Sequence, residues 1–192
     1  MRAAFCKGEC EVSQKKELWD VYDKDRNRTG RTHPRGKELA PGDYHLVVHV
    51  AIFNTRGELL IQRRQPRKHG FPNYWDLSAG GSALAGEDSR MAAHRETLEE
   101  IGLDLDFSEA HPKFTYYWDH GFDDYWFMTK DASILDMQLQ ETEVAEVRWV
   151  NREGLIRLVE EERFVPYYFI RRIFDLYRGT GAIEADTGWK HV

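Results

Sequence analysis

Hydrophobic and polar positions alternate along the chain with two different periods. Residues 17–22, ELWDVY, alternate well enough for a short strand. The polar DKDRNRTGRTHPRG that follows is punctuated by Gly30, Pro34 and Gly36, giving an N-terminal strand or hairpin that leads into the main domain. YHLVVHVAIF (44–53) is β-branched and aromatic and reads as a strand; NTRG (54–57) turns the chain, and ELLIQRR (58–64) returns as its hairpin partner. QPRKHGFPN is loop, and YWDLSAGG (74–81) is a short strand ending in two glycines. A helix follows at about 87–101, stopped by Gly102. KFTYYWD and DDYWFMTK flank HGF as an aromatic hairpin, and VAEVRWV (144–150) is a further strand. NREGLIRLVEEER is a helix capped at Asn151, and Pro166 opens a last helix through Tyr177 that Gly179 ends.

Strands, helix, strands, helices in that order predict an α+β domain, with a mixed or antiparallel sheet and helices packed on it. The expected division is a tail and short strand or hairpin over 1–36, the main domain over 37–179 and a C-terminal tail over 180–192. With 192 residues, 41% hydrophobic and 13% aromatic, the chain can build one cored domain and is not disordered in composition. A net charge of −6 supplies no global basic field for nucleic acid. No apolar run approaches the ~20 residues of a membrane span, and MRAAFCKGEC lacks a secretory signal's apolar segment. The expectation is a cytoplasmic protein with no nucleic-acid or membrane partner. Cys6 and Cys10 have no second Cys or Cys/His pair at zinc spacing and read as free thiols in a tail.

The candidate chemistry lies in GSALAGEDSRMAAHRETLEEIG (81–102), where Glu96, Glu99 and Glu100 fall within five residues. At about 100° per residue, Glu100 lies about 40° to one side of Glu96 and Glu99 about 60° to the other, so the three share a face. Met91, His94, Leu98 and Ile101 form the expected core stripe opposite, with Ala92 and Ala93 leaving room above the carboxylates. The positions four residues after Glu96 and Glu99 carry no cation, and such a cluster suits a hard divalent ion. The competing reading is a solvated acidic face. Gly80 and Gly81 let the backbone approach a ligand, and the Gly81 carbonyl is within reach of a metal. Glu87 sits at the helix start, where a carboxylate suits the dipole.

Gly81, Glu87 and the run Arg95-Glu96-Thr97-Leu98-Glu99-Glu100-Ile101-Gly102-Leu103 resemble the Nudix box of Nudix hydrolases, with every fixed position at the family spacing and Thr97 where an aliphatic residue is usual. The resemblance covers roughly 40–163 and implies a Nudix-type α/β/α sandwich with a mixed sheet. It further implies a Mg2+-dependent attack of water on a diphosphate (Mn2+ being an alternative ion), usually a nucleoside diphosphate linked to another group. Carried onto this chain, Gly81, Glu96, Glu99 and Glu100 would hold the metal, Glu96 would be a ligand or the base, and Arg95 would orient the glutamates.

Glu141, Glu143 and Glu146 gather before and within the 144–150 strand, a polar strand edge on the bland reading. Nudix enzymes often recruit a carboxylate here, and Glu143 is favoured. The flanks are also similar to the isopentenyl-diphosphate isomerase branch, but Gly80 and Ser82 stand where that branch needs its cysteine and histidine. His45 and His49 share a strand face and read first as half-buried strand histidines. Arg63 and Arg64 are candidate phosphate clamps for a small-molecule diphosphate. At least half of the aromatic residues over 116–126 pack the core; the rest are free to stack a base or line a homodimer contact. A non-catalytic diphosphate-binding module is the remaining alternative.

Overall fold

The structure is a computed structural model that describes residues 17–179. The two thiols and the C-terminal tail considered above lie outside the described residues. The elements are strands β1 (Leu18–Tyr22), β2 (Arg28–Pro34), β3 (His45–Phe53), β4 (Leu59–Arg64), β5 (Trp75–Asp76) and β6 (Ala79–Ser82), then helix α1 (Ser89–Ile101). Strands β7 (Pro112–Trp118), β8 (Gly121–Thr129) and β9 (Val144–Val150) follow, then helices α2 (Arg152–Glu160) and α3 (Ile173–Arg178).

β3 is the axis of a seven-stranded mixed sheet. It runs parallel to β8 over its whole length, from His45 opposite Gly121 to Phe53 opposite Thr129. β3 and β4 do not continue as the simple hairpin expected. They share only the register pair Phe53–Leu59 and then diverge. Past that point β3 pairs with β6, while β4 pairs with β5 and β9. The predicted 74–81 strand is accordingly split in two, because its halves serve different partners. Ser78, fully buried, holds the fork: Ile52 N–H donates to its Oγ at 2.8 Å and the Oγ donates to the Leu60 carbonyl at 2.7 Å.

Alternation along β3 makes the layers. Val48, Val50 and Ile52 pack toward α1 with Ala92, Ala93 and Ile101, and Ala51 and Phe53 pack toward α2 and α3 with Leu155 and Ile173. The result is an α/β/α sandwich. The N-terminal hairpin β1–β2 docks across one end through Tyr22 and Tyr44, which exchange both backbone hydrogen bonds. It also touches the loop before α1, where Ala85 N–H donates to Leu18 O at 2.7 Å and Gly86 N–H to Asp20 at 2.9 Å.

The predicted last helix forms only from residue 170 onward, as a short 3-10 turn running into α3. Residues before it are committed elsewhere: Trp75 N–H donates to Arg163 O, and Val165 N–H to Trp75 O, both at 2.8 Å, which adds this segment to the edge of β5. No described helix is long and apolar enough to cross a membrane.

Replacing Ser78 with Ala leaves the Ile52 N–H without its acceptor inside the fork. Equilibrium denaturation should show a loss of about 1–3 kcal/mol, the cost of an unsatisfied buried polar group.

Candidate active site

α1 starts at Asp88, whose side chain accepts from Met91 N–H at 2.8 Å, and ends at Gly102 in a left-handed conformation with φ 71°. Its buried face differs from the stripe expected from the sequence. Ala92, Ala93, Thr97, Glu100 and Ile101 are buried, whereas Met91 is 54% and Leu98 44% exposed. The reason is steric. α1 lies on β6, whose Gly80 and Gly81 carry no side chains, so small residues and the carboxylates themselves fill the contact. Ala92 and Ala93 are therefore core residues rather than space above the glutamates. Thr97 fits because its hydroxyl donates to the Ala93 carbonyl at 2.7 Å.

The glutamates have a cation after all, and it lies before them in sequence. Arg95 Nε and Nη2 donate to the two oxygens of Glu87, at 2.7 and 2.9 Å. Its Nη1 donates to Glu96 at 2.9 Å and to Glu99 at 3.0 Å, and Nη2 also reaches the Ser82 carbonyl at 3.2 Å. Burial pulls the guanidinium pKa down, but the bonds to Glu87, Glu96 and Glu99 outweigh it and hold Arg95 above its ordinary value. Glu87, which composition alone made a helix-start residue, is thus the bidentate anchor of Arg95.

The close approach at Gly81 is to Glu96: a Cβ on Gly81 would overlap the Glu96 carboxylate. Burial raises the Glu96 pKa, opposed by Arg95. Glu100 turns inward, accepting at one oxygen from Gln62 Nε2 at 2.9 Å and from Gly80 N–H at 3.0 Å. Burial, with Glu96 second, pushes its carboxyl up to about 8. Gln62 escaped the sequence reading; its one signal is an amide inside the apolar run of β4.

Glu143 closes the turn before β9, and this turn is tied to α1 by Gln140 N–H donating to the Glu100 carbonyl at 3.0 Å. Lys68 is ion-paired with Glu143. Arg35, from the end of the N-terminal hairpin, pairs with Glu17 and lies within the fields of both Glu143 and Glu96. Lys68 and Arg35 were not singled out by pattern, since each is one cation in a polar loop. Glu146 pairs instead with Arg63 at 3.1 Å, on the opposite face of β4 from Gln62. Arg64 donates to Asp76 and to the Gly70 carbonyl, both at 2.9 Å, and Glu141 is exposed.

Beside this cluster is a cavity of about 400 Å³ with an aromatic lining that includes Phe71, Tyr116, Trp118, Tyr125 and Tyr167. Its floor is polar. Tyr167 Oη donates to Asp76 at 2.6 Å, and Arg64 holds the other Asp76 oxygen. His49 stacks on Tyr125 with ring centres 4.7 Å apart. His45, four residues earlier, is stacked on Trp19 at 4.3 Å, so both histidines are packed strand residues.

The family model for the NUDIX domain matches residues 43–173. The chain belongs to the Nudix hydrolase family. It is 54% identical over 164 residues to an uncharacterized Nudix hydrolase of Listeria innocua, spanning 85% of this chain and 97% of that one. A related protein of Listeria monocytogenes is 52% identical over the same shares. An isopentenyl-diphosphate Delta-isomerase of Halorhodospira halophila is 34% identical over 99 residues, half of this chain and 55% of its own length. The fold matches a crystal structure from Deinococcus radiodurans with TM-score 0.67 at 22% identity, covering 82% of this chain and 97% of that one. The Nudix box therefore corresponds to the Gly81 strand end, the Glu87–Arg95 clamp and the glutamates of α1.

Glu100 makes stability depend on pH in a definite direction. Its folded pKa of about 8 exceeds the ordinary value of 4.5, so across that window the folded chain holds a proton that the unfolded chain has lost. This contribution is fully present below the lower value and is lost as pH rises through the upper one. In a chelator, the melting temperature should fall between pH 5 and pH 8, and Glu100→Gln should flatten that fall. Parallel curves for the two proteins would contradict the assignment.

Proposed function

We propose that this chain is a Mg2+-dependent Nudix hydrolase that cleaves the diphosphate linkage of a nucleoside diphosphate joined to another moiety, by attack of water. The observation that carries the reading is the Arg95 clamp, which holds Glu96 against Gly81 and Glu99 beside it.

The donor set fits a hard divalent cation. Three carboxylates, those of Glu87, Glu96 and Glu99, share one guanidinium, and Glu100 lies beside them with its carboxyl pushed up to about 8, first by burial and then by Glu96. Among the described residues no three acidic, histidine or cysteine side chains already converge as a ligand sphere; the glutamates are turned onto Arg95, Gln62 and Gly80 instead. Glu96, Glu99, Glu100 and the Gly81 carbonyl are the oxygen donors we assign to Mg2+, with Mn2+ as a substitute. When bound, the ion neutralises diphosphate oxygens and lowers the pKa of coordinated water.

The chain supplies the rest. Glu96 or Glu143 takes the proton from the attacking water, whose oxygen forms the new bond to phosphorus as the bridging P–O bond breaks toward the departing phosphate. Arg95 fixes the orientation of Glu96 and Glu99. Lys68 holds Glu143 in place, and Arg64 lines the adjoining cavity on the side where the substrate's substituent would extend. Isomerase chemistry is disfavoured by geometry: a Cβ at Gly80 would lie 2.8 Å from the Val48 carbonyl oxygen, leaving no room for a thiol.

A Mg2+-supplemented screen of nucleoside diphosphate conjugates with product identification tests the reading. Release of a nucleoside monophosphate is expected. Glu99→Gln should lower turnover by at least about a hundredfold, a loss of roughly 2.7 kcal/mol of transition-state stabilisation. Full Mg2+-dependent turnover by that variant, or no turnover of any diphosphate by the native protein, would contradict it; the second result is what a non-catalytic binding module gives.

A further inference from the structure

Strands β4, β5 and β9 carry a patch of charge that the carboxylate cluster does not use. On the face turned away from Gln62, the register pairs run Leu59–Val150, Ile61–Arg148 and Arg63–Glu146, and Trp75 stands opposite Arg63 on β5. The apolar layer under α2 and α3 thus gives way at one end to guanidinium groups. A cavity of about 520 Å³ opens there, and its lining includes Arg63, Trp75, Glu146, Arg148 and Arg163. Arg63, a candidate phosphate clamp by sequence, belongs to this cavity and not to the glutamates of α1.

Two donors in the lining lack an acceptor. Trp75 is only 3% exposed, and its Nε1–H is buried without a partner. Arg148 Nε is also buried and unpartnered. The Arg148 guanidinium lies over the Trp75 ring, 4.1 Å from its centre, so the stack brings both donors to one place. A buried donor left unpaired is costly. An indole N–H and a guanidinium only donate, so the group they match is an acceptor.

The charge around these donors specifies the acceptor further. Arg63 is paired with Glu146 at 3.1 Å and Arg163 with Glu161 at 3.2 Å, whereas Arg148 has no carboxylate partner among the described residues. Three guanidiniums thus meet two carboxylates, and the uncompensated one is the one held on the indole. Both pairs reach solvent, with Glu146 46% and Arg163 60% exposed, so little opposes their opening toward a new anion. A tetrahedral oxyanion offers charge and several acceptor oxygens in different directions, which guanidinium forks converging from three strands and a loop can share.

We propose that this pocket binds a phosphate group, gripped by Arg63, Arg148 and Arg163, with the Trp75 Nε1–H as a neutral fourth donor. It is a second anion site, on the sheet face opposite to Gln62 and the Glu100 that Gln62 bonds. Nothing in it depends on the metal cluster or on the hydrolase reading.

The test is calorimetric titration of the full chain with orthophosphate, in metal-free buffer at fixed ionic strength, with methyl phosphate and acetate as comparison ligands. One saturable phosphate site per chain is expected. Arg148→Lys keeps the charge but removes Nε and the fork, and should weaken binding at least about tenfold. Arg163→Ala, at a position too exposed to endanger folding, should weaken it several-fold. The indole N–H resonance of Trp75, assigned by its absence from Trp75→Phe, should move downfield as phosphate saturates. Methyl phosphate binding as tightly as orthophosphate supports the site with a phosphate monoester as its occupant; weaker binding supports it with free phosphate. No saturable binding, an affinity unchanged by both arginine variants, an unmoved Trp75 resonance, or acetate binding as tightly as phosphate would each overturn the proposal. Because neither turnover nor metal enters these readouts, loss of hydrolytic activity alone sinks the hydrolase reading and leaves this one standing, and the reverse also holds.

Discussion

Arg95 stands among Glu87, Glu96 and Glu99, and the site depends on that one shared guanidinium. Without it, the Glu87 carboxylate and those of Glu96 and Glu99 on one turn of α1 would crowd together with no cation between them, and one or more would take up a proton or swing into solvent. With it, the pattern is ordered: Glu87 fixes the guanidinium with two parallel hydrogen bonds, and the remaining nitrogen fixes Glu96 and Glu99. The lack of a side chain at Gly81 completes the arrangement by making space for the Glu96 carboxylate. Glu100 stands outside this clamp and is managed differently, through Gln62, the Gly80 amide and burial.

The clamp is available because the sheet forks. In an ordinary hairpin β3 and β4 would stay hydrogen-bonded to each other along their length, leaving no place for β6 beside β3 or β5 beside β4. Their divergence after Phe53 and Leu59, braced by Ser78, inserts β6 beside β3 and β5 beside β4. Glycines on β6 then bring α1 close enough for its acidic side chains to face inward. The same fork leaves the edge of β5 open to residues 163–165, and that pairing delivers Tyr167 to Asp76 and forms the cavity wall. Charge cluster and aromatic cavity are two consequences of one divergence.

Much of this was legible in the chain. The strand and helix order, the caps at Asn151 and Gly102 and the β1–β2 hairpin follow local rules of period, turn chemistry and capping, and they appear where those rules put them. The spacing of Gly81, Glu87, Arg95 and the glutamates pointed to the family. What local rules missed was set by partners distant in sequence. α1 buries Glu100 and exposes Met91 and Leu98 because of what β6 lacks, which no helical wheel contains. The compensating cation precedes Glu99 by four residues, so the positions after the glutamates do not reveal it; the family resemblance alone gave Arg95 the role of orienting them, and the structure shows it bonded to both Glu96 and Glu99. The break at 166–169 is dictated by a strand pairing and by a buried tyrosine hydroxyl, neither visible from Pro166 alone.

The central claim is that the clamped glutamates form a divalent-cation site. Anomalous diffraction from crystals soaked in Mn2+ measures this most directly. The account predicts a peak within bonding distance of the Glu96 and Glu99 carboxylates and the Gly81 carbonyl oxygen, with Glu100 deprotonated toward it. A peak seated away from these groups, or none at a saturating Mn2+ concentration, would contradict it.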